Sequence, residues 1–294
     1  DGDSLGCTLG LKLALEQLGK RAVVVYPGEI PEMYRFLPGT DAIVDEANLP
    51  FVPQAVIAVD VAKADRMGRA GEVFEACANR AVVDHHEVFD CAEPRHHIRP
   101  EAAACGELVY ELICEMGVVM TTDIADCLYT AMSTDTGNFN FSNTTATTLR
   151  CSAACIEAGV NVSELTRRLF RLRKKGKVKL LGMCLNGIEY FEDGRLSLVK
   201  ITDEMLAEAG AARSDSEGVV NFQLETEGVQ VAILAQQISG GTKFSFRSLG
   251  HIDVAALSRE LGGGGHARAS GATMMLPMDE AVAQVLEVFL PAVR

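Results

Sequence analysis

Acidic and histidine side chains stand at the ends of several apolar runs in this sequence, where they could converge on cations. The positions that share this placement are Asp1, Asp3, Asp60, Asp84, His85, His86 and Asp135. In open α/β sheets, ligands bind outside the carboxyl ends of the strands, so four segments that deliver carboxylates to one sheet edge predict a strongly negative site. Neighbouring carboxylates repel one another and stay ionised only when cations neutralise them. The residue types therefore predict a two-metal centre that hydrolyses phosphate esters.

The donor set also indicates the kind of metal. Carboxylate oxygens with one or two imidazoles suit Mn²⁺ or Mg²⁺ better than a metal that prefers thiolates. Gly2 predicts a tight turn through which Asp1 and Asp3 reach two ions. Taken singly, Asp60 and Asp135 are equally compatible with helix N-caps. The run at 84–86 is more specific, because successive residues at a strand end point in different directions, so that one histidine binds metal and the other faces substrate.

A second group of candidate residues lies near the end of the chain. Four successive glycines at 262–265 let backbone N–H groups approach an anion, and a helix-like segment after them offers its positive end. Arg247 ends a predicted strand, and its planar guanidinium suits phosphate. A flexible loop and a surface arginine on an edge strand are the alternative interpretations. The candidate substrate-binding residues are Arg247, Ser248, Gly263, Gly264, Gly265, His266 and Ser270.

Composition indicates an ordinary globular protein. The chain has 294 residues, 48% of them hydrophobic and 23% charged, which is enough for two domains and a sizeable core. No apolar run has the length of a membrane span, and no signal peptide is visible. The nine cysteines include no Cys-x-x-Cys pair. We therefore expect buried thiols in a reducing compartment, hence a cytoplasmic protein.

The net charge of −13 argues against a protein that coats long nucleic acid, because such proteins carry an excess of Lys and Arg. A short phosphorylated ligand held by a few local cations fits better. The stretch at 165–175 is the most basic part of the chain. We favour a solvated helical linker there, with the alternative that some of its cations face a cleft and attract phosphates.

Hydrophobic periodicity predicts an α/β protein. Short apolar runs that predict parallel strands lie at 22–26, 43–44, 55–59 and 81–83. Helical patterns lie at 5–18, 64–78, 101–116, 123–134 and 143–159. Their alternation predicts a doubly wound parallel sheet. Further on, hairpins around 192–195 and 239–242 and helices near 203–209, 253–261 and 279–290 predict a smaller α/β domain with a mixed sheet.

The predicted domains are a catalytic metal-binding domain at 1–160, a helical linker at 161–185 and a substrate-binding domain at 186–294, with a cleft between the two domains. We find no convincing internal repeat and no low-complexity tract.

The order of the motifs along the chain resembles the DHH phosphoesterase superfamily. The motifs are Asp-Gly-Asp-Ser-Leu-Gly at 1–6, Asp60, Asp84-His85-His86, Asp135-Thr136-Gly137, Arg247-Ser248 and the segment 262–270. Within that superfamily the chain is most similar to two-domain oligoribonucleases that are also nucleoside 3′,5′-bisphosphate phosphatases, and to their cyclic-dinucleotide phosphodiesterase relatives. The resemblance covers essentially the whole chain but does not separate these relatives.

The resemblance implies a role for each matching residue. Two Mn²⁺ ions, with Mg²⁺ or Co²⁺ as alternatives, would be held by Asp1, Asp3, Asp60, His85 and Asp135. Asp60 would be shared between the ions. Asp84 would orient His85, and His86 would face the scissile phosphate, which makes Asp84 and His86 the catalytic pair. In the DHH-associated C-terminal domain, the candidates from Arg247 to Ser270 would hold the nucleotide's phosphate end.

One departure from the family concerns the N-terminus. Members usually carry a His four residues before the first Asp of the motif, after a first sheet strand. This sequence begins at Asp1, so we expect a truncated fragment. In a natural chain of this length, one metal site would lack a ligand.

We expect a metal-dependent phosphoesterase that hydrolyses short oligoribonucleotides, 3′-phosphoadenosine 5′-phosphate, or both. The alternative within the superfamily is a cyclic-di-AMP or linear dinucleotide phosphodiesterase; a processive exonuclease and an inorganic pyrophosphatase fit less well. The alternative of another class is a nucleotide-binding sensor with an incomplete metal site. The expected partners are short RNA or small nucleotides, with no long nucleic acid and no membrane. The helical surface is also compatible with a homodimer.

Overall fold

A computed structural model describes residues 1–61, 64–86 and 95–294, and these form two compact units. The first unit is Asp1–Leu172 and the second is Arg173–Arg294. The boundary between the units lies inside the segment 161–185, for which we predicted a helical linker.

The first unit contains a three-stranded parallel sheet. Its strands are β1 (Val56–Val59), β2 (Arg80–Asp84) and β3 (His96–Ile98), with β2 in the middle. Val59 and Val83 are buried in the main core of this unit, whereas Ala58 and Val82 join a smaller cluster with Phe74. Apolar side chains therefore cover both faces of the sheet, which explains the continuous apolar runs at β1 and β2.

Six α-helices lie in the described part of the first unit. They are α1 (Gly2–Gln17), α2 (Ala70–Ala76), α3 (Cys105–Glu115), α4 (Thr122–Asp135), α5 (Ala146–Glu157) and α6 (Val162–Thr166). The helices predicted at 5–18, 101–116, 123–134 and 143–159 are confirmed. The pattern at 64–78 forms a 3₁₀ turn at Ala64–Met67 and then α2. Gly68 separates the two with a φ of +54°, which a continuous helix does not permit.

Two of the predicted strands are wrong. The segments 22–26 and 43–44 meet in one parallel bridge, Val25 to Val44, in which Val44 N donates to Val24 O over 3.0 Å. Neither segment extends this pairing into a ladder. In contrast, β3 was not predicted, because its three residues include two exposed histidines and show no apolar alternation.

The Asp-Gly-Asp segment is a helix start rather than the predicted tight turn. Asp1 caps α1, and Gly2 is already helical. A side chain at Gly2 would place its Cβ 2.5 Å from Thr134 Oγ1, and one at Gly6 would place it 2.3 Å from the carbonyl oxygen of Cys127. These glycines allow α1 to approach α4 closely, which brings the N-terminal end of α1 beside the C-terminal end of α4.

Replacing Gly6 with alanine is expected to lower the free energy of unfolding by about 2 kcal/mol, because the new methyl group meets backbone that cannot move aside cheaply. Urea denaturation of the purified variant measures this change. Gly182→Ala in the second unit is the matched control, because a Cβ there meets nothing within 4 Å. That control is expected to stabilise its helix by up to about 1 kcal/mol. Equal effects of the two substitutions would contradict the packing argument.

The second unit contains a six-stranded mixed sheet in the order β4-β5-β6-β7-β9-β8. The strands are β4 (Glu189–Phe191), β5 (Leu196–Ile201), β6 (Val231–Ile238), β7 (Gly241–Ser248), β8 (Gly264–His266) and β9 (Ala269–Met274). Only β5 and β6 pair in parallel within this sheet. Both predicted hairpins are confirmed, and so is the mixed sheet.

Five helices cover this sheet. They are α7 (Lys175–Asn186), α8 (Asp203–Ala209), α9 (Val219–Leu224), α10 (Val254–Glu260) and α11 (Met278–Phe289). Phe244, Phe246 and Phe289 lie in one buried layer of the unit. Leu180 and Leu234 belong to a separate buried layer. The helices α8, α10 and α11 were predicted, and α7 lies almost entirely within the segment predicted as a helical linker, whereas α9 was not predicted.

Two general expectations can be compared with the structure. In the described part of the chain all eight cysteines are free thiols, and seven of them are buried. Cys91 lies outside the described residues. No helix in the ranges that the structure describes is both long and apolar enough to cross a membrane.

Candidate metal centre

Two groups of potential metal ligands lie together in the first unit. One contains Asp60, His85 and His86, and the other contains Asp3, His85 and Asp135. Within each group the ligand atoms lie within 4.8 Å of one another. His85 belongs to both groups, so the two sites adjoin. Residues that follow β1 and β2 therefore lie together with Asp3 of α1 and Asp135 of α4.

His85 presents one ring nitrogen to the carboxylates. Its Nε2 lies 3.6 Å from Asp3 Oδ2 and 3.5 Å from both Asp60 Oδ1 and Asp135 Oδ2. Its Nδ1 lies 3.1 Å from the carbonyl oxygen of Ala102. Because a carbonyl only accepts hydrogen bonds, Nδ1 carries the proton and Nε2 offers a lone pair. This is the arrangement of a metal-binding imidazole.

The Asp3 carboxylate is buried at the N-terminus of α3. Cys105 N donates to Oδ2 over 2.7 Å, and Gly106 N donates to Oδ1 over 3.0 Å. Cys7 Sγ also donates to Oδ1 over 3.2 Å. The positive end of the α3 dipole favours a carboxylate at this position. The position of Asp3 is therefore fixed by backbone that is more than a hundred residues distant in sequence.

Asp60 adopts an unusual backbone conformation. Its φ is +56°, a left-handed value that costs free energy in most residues but is tolerated by aspartate. Its side chain is only 3% exposed, and Oδ1 has no hydrogen-bond partner among the described residues. A buried carboxylate oxygen without a donor is costly unless a cation contacts it. With the hard oxygen and imidazole donors around it, this orphaned atom fits a divalent metal ion.

Asp135 is the last residue of α4, so its carboxylate does not follow a strand. The prediction that four sheet-edge segments supply the cluster needs this correction. Two of the carboxylates come from helix ends, at Asp3 and Asp135, and only Asp60 and Asp84 lie at strand ends. Every residue from 127 to 133 is buried, so the run before Asp135 is a core helix rather than a strand.

The role predicted for Asp84 also needs correction. Its Oδ1 accepts from His85 N over 2.7 Å and from His86 N over 3.0 Å. The same oxygen lies 2.7 Å from His86 Nδ1. Asp84 therefore orients the ring of His86, whereas Ala102 orients the ring of His85. Because Nδ1 of His86 is engaged, Nε2 is the nitrogen that can face a substrate.

Asp1 belongs to neither ligand group among the described residues. Its Oδ1 accepts from Ser4 N over 2.9 Å and caps α1. A role for Asp1 in metal binding stays a prediction.

Three carboxyl groups of this centre have raised pKa values, and burial is the main cause for each of them. Burial raises the pKa of Asp3 well above its usual value, and the charges of Asp60 and Asp135 add to that rise. Burial also raises the pKa values of Asp60 and Asp135, although His85 and His86 partly oppose the rise. Without cations, ionisation of these carboxyl groups is therefore less favourable in the folded protein than in water.

The serines predicted to bind substrate are committed to internal hydrogen bonds in the second unit. Ser248 is buried and donates to the carbonyl oxygen of Ile252 over 2.7 Å. Ser270 is buried and donates to the carbonyl oxygen of Val254 over 2.7 Å. Both hydroxyls thus hold the segment around α10 to the sheet. Arg247 is only partly buried, and its Nη1 donates to the carbonyl oxygen of Phe246 over 3.0 Å.

The second half of the glycine run lies in an edge strand, so it is not the flexible loop of the alternative interpretation. Gly264–His266 pairs with β9, and the segment after it is that strand, not a helix. Gly263 must lack a side chain, because a Cβ there would lie 2.3 Å from the carbonyl oxygen of Gly271. His266 is exposed at the sheet edge. The outer edge of β8 has no neighbour in this sheet, so backbone N–H groups there can meet an anion.

Comparison with known proteins decides the family. A model of the DHH family, N-terminal domain, matches residues 1–132, and a model of the DHHA1 domain matches residues 198–293. The chain is 35% identical over 98% of its length to the bifunctional oligoribonuclease and PAP phosphatase NrnA of Thermus thermophilus, of which it covers 85%. This chain belongs to the DHH family.

Two further relatives agree with that assignment. The bifunctional oligoribonuclease and PAP phosphatase NrnA of Bacillus subtilis is 27% identical over 93% of this chain and is covered to 86%. The crystal structure of an exopolyphosphatase-related protein from Bacteroides fragilis has a TM-score of 0.80 and 26% identity, with coverage of 100% of this chain and 88% of that one. The predicted superfamily and fold class are therefore confirmed.

The groups that position the ligands of this DHH centre were not found from the sequence. They are the carbonyl group of Ala102 and the amide groups of Cys105 and Gly106. Backbone groups have no residue-type signal, so composition could not reveal them. Asn143 was also missed. Its Nδ2 donates to the carbonyl oxygens of Ala103 and Asp135. The sequence offers one sign of this role, namely that Asn143 follows shortly after Asp135.

The basic stretch is partly neutralised within its own segment. Arg167 and Arg168 both bind the carboxylate of Glu164, over 2.9 Å and 2.6 Å. Arg168 also lies over the ring of Phe36, 4.9 Å from its centroid. These contacts agree with a solvated helical surface for these two arginines.

The raised pKa values predict that metal binding depends on pH. A carboxyl group whose pKa is higher in the folded than in the unfolded protein binds more protons when folded, so metal-free stability falls as pH rises above about 4. Metal ions require the deprotonated carboxylates and remove this penalty. The rise in melting temperature caused by Mn²⁺ is therefore expected to be larger at about pH 8 than at about pH 5.5. Thermal scans with and without Mn²⁺ test this. A rise that does not depend on pH would contradict it.

Proposed function

We propose that this DHH-family chain is a metal-dependent phosphoesterase that hydrolyses short oligoribonucleotides and 3′-phosphoadenosine 5′-phosphate. The observation that carries the proposal is the buried Asp60 oxygen, which has no hydrogen-bond partner among the described residues, within a cluster of three carboxylates and two histidines. Two relatives named as bifunctional oligoribonucleases and PAP phosphatases support the substrate class.

We assign the metal ligands to Asp3, Asp60, His85 and Asp135. Their oxygen and imidazole donors favour Mn²⁺ over softer metals, with Mg²⁺ or Co²⁺ as substitutes. When bound, a pair of divalent ions lowers the pKa of water and neutralises charge on phosphoryl oxygens.

The chain's own residues bind and orient the scissile group. With both ring nitrogens protonated, His86 would donate from Nε2 to a phosphoryl oxygen, while the Asp84 carboxylate accepts a hydrogen bond from Nδ1–H and stabilises the positive charge. Since Asp84 Oδ1 also accepts from both histidine backbone amides, the imidazole is held in one orientation before substrate arrives. This preorganisation is what a catalytic pair requires.

In the DHHA1 domain we propose that Arg247, His266 and the free edge of β8 bind the terminal phosphate of the substrate. Guanidinium, imidazole and edge amide groups are all donors to phosphate oxygens. The net charge of −13 opposes a long polyanion, so a short substrate held through its terminal phosphate is favoured.

Metal-dependent hydrolysis of a matched substrate panel tests the proposed function. The panel contains a 5′-phosphorylated dinucleotide, a pentanucleotide, a long RNA, adenosine 3′,5′-bisphosphate and cyclic di-AMP. Turnover concentrated on the short linear RNAs and the bisphosphate is the expected result. A preference for the cyclic dinucleotide would assign the chain a signalling substrate instead. Nucleotide binding without turnover at any metal tried would favour a sensor.

A further inference from the structure

The loop that follows Asp135 has a strained backbone. Gly137, Asn138 and Phe139 have φ values of +55°, +57° and +63°. Three successive left-handed residues are rare, and a positive φ at a phenylalanine is an outlier. Such strain persists only where the surrounding structure holds it, and it concentrates at functional sites.

Hydrogen bonds close this loop onto the metal centre. Asn143 Nδ2 donates to the carbonyl oxygen of Asp135 over 3.2 Å and to that of Ala103 over 3.1 Å. Phe141 N donates to the carbonyl oxygen of Thr136 over 3.0 Å. The loop therefore begins and ends beside the backbone that carries the Asp135 ligand.

The two phenylalanines of the loop have different environments. Phe139 is partly buried and makes an edge-to-face contact with Tyr129 at a centroid separation of 5.6 Å. Phe141 is 60% exposed. Its ring lies over Gly137, because a Cβ built on that residue would be only 2.4 Å from ring atom Cε1. The loop thus presents to solvent an aromatic ring that lies over its own backbone at Gly137.

We infer that Phe141 is a stacking platform for a nucleobase of the substrate bound at the metal centre. Single-stranded RNA is bound by stacking of its unpaired bases on aromatic side chains, and this contact tolerates every base. An exposed ring on the loop that follows Asp135, a proposed metal ligand, is placed to supply such a contact. The inference rests on the proposed function, since it assumes that the substrate carries a base.

A thermodynamic cycle tests the inference: the Phe141 ring and one base of the substrate are removed separately and together. The two proteins are the wild type and Phe141→Leu. The two substrates are a 5′-phosphorylated dinucleotide and the same molecule with one abasic position. Stacking contacts change affinity by about 5- to 150-fold, so we expect Phe141→Leu to raise the KM of the intact dinucleotide about tenfold. Removing the base raises the KM of the wild type, and in Phe141→Leu that increase is expected to be about tenfold smaller.

Two further variants separate stacking from a structural role. Phe141→Trp restores an aromatic face and is expected to restore the low KM. Tyr190→Leu is the matched control, because Tyr190 is an aromatic of similar exposure, 49%, on β4. In Tyr190→Leu, removing the base is expected to raise KM by the same factor as in the wild type. The inference is overturned if removing the base raises KM equally in Phe141→Leu and in the wild type. It is also overturned if Phe141→Trp does not restore the low KM of the intact dinucleotide.

The outcome for the inference is distinct from that for the proposed function. Absence of turnover by the wild type on every nucleotide would overturn the proposed function alone. Base stacking is then read from binding, as quenching of 2-aminopurine fluorescence in a dinucleotide mixed with the Mn²⁺-loaded protein. Quenching by the wild type that is lost in Phe141→Leu supports the inference, and equal quenching by both proteins overturns it.

Discussion

Asp60→Asn is expected to make the metal-free protein more stable while it removes metal-dependent hydrolysis. The reason lies in the buried Oδ1 of Asp60, which has no hydrogen-bond partner among the described residues. Burial and the neighbouring charges of Asp84 and Asp135 raise the pKa of Asp60, so the ionised form is unfavourable without a cation. Asparagine keeps the shape of the side chain and removes the charge.

The expected gain in metal-free stability is about 1 kcal/mol, or a rise of about 2–4 °C in melting temperature. The same substitution removes a ligand of the group formed with His85 and His86. The loss of activity should therefore exceed the roughly 10- to 100-fold that follows loss of an outer-shell partner. The increase in melting temperature caused by Mn²⁺ should also be strongly reduced.

Thermal scans in EDTA and in Mn²⁺, together with turnover of a dinucleotide, measure both effects in one preparation. Asp41→Asn is the matched control, since Asp41 is an exposed aspartate outside both ligand groups. It should change neither melting temperature nor turnover. If the metal-free Asp60→Asn protein is less stable than the metal-free wild type, the charge of Asp60 does not destabilise the metal-free site.

The parts of the site that could be predicted from sequence are those whose signal is local. Asp60 and Asp84 follow short apolar runs, and such runs form buried parallel strands whose carboxyl ends meet at one edge. Asp-His-His is similarly visible as a motif. These local signals sufficed to place the centre at the ends of β1 and β2.

The parts that could not be predicted depend on contacts between distant segments. Nothing near Asp3 in sequence indicates that its carboxylate caps α3. Nothing near Ser248 in sequence indicates that its hydroxyl donates to the carbonyl oxygen of Ile252. Sequence alone therefore predicts that this polar residue beside an arginine binds substrate. Asp84 was assigned to the wrong histidine because adjacency in sequence does not say which ring turns toward the carboxylate.

The choice between those two histidines decides the expected effect of Asp84→Asn. Asp84 is fully buried, and its Oδ1 contacts both backbone amides and the His86 ring. Asparagine can keep its oxygen at that position, so the fold is retained while the hydrogen bond to His86 loses its charge. We expect kcat to fall about 10- to 100-fold. The Mn²⁺-dependent rise in melting temperature is expected to persist, because Asp84 lies in neither ligand group.

A double-mutant cycle with His86→Ala gives the decisive comparison. If Asp84 acts through His86, Asp84→Asn costs little further activity once the His86 imidazole is gone, so the two losses are strongly non-additive. If Asp84 instead acted through His85, Asp84→Asn would weaken metal binding and would cost as much activity in the His86→Ala protein as in the wild type. The hydrogen bond of 2.7 Å between Asp84 Oδ1 and His86 Nδ1 requires the first result.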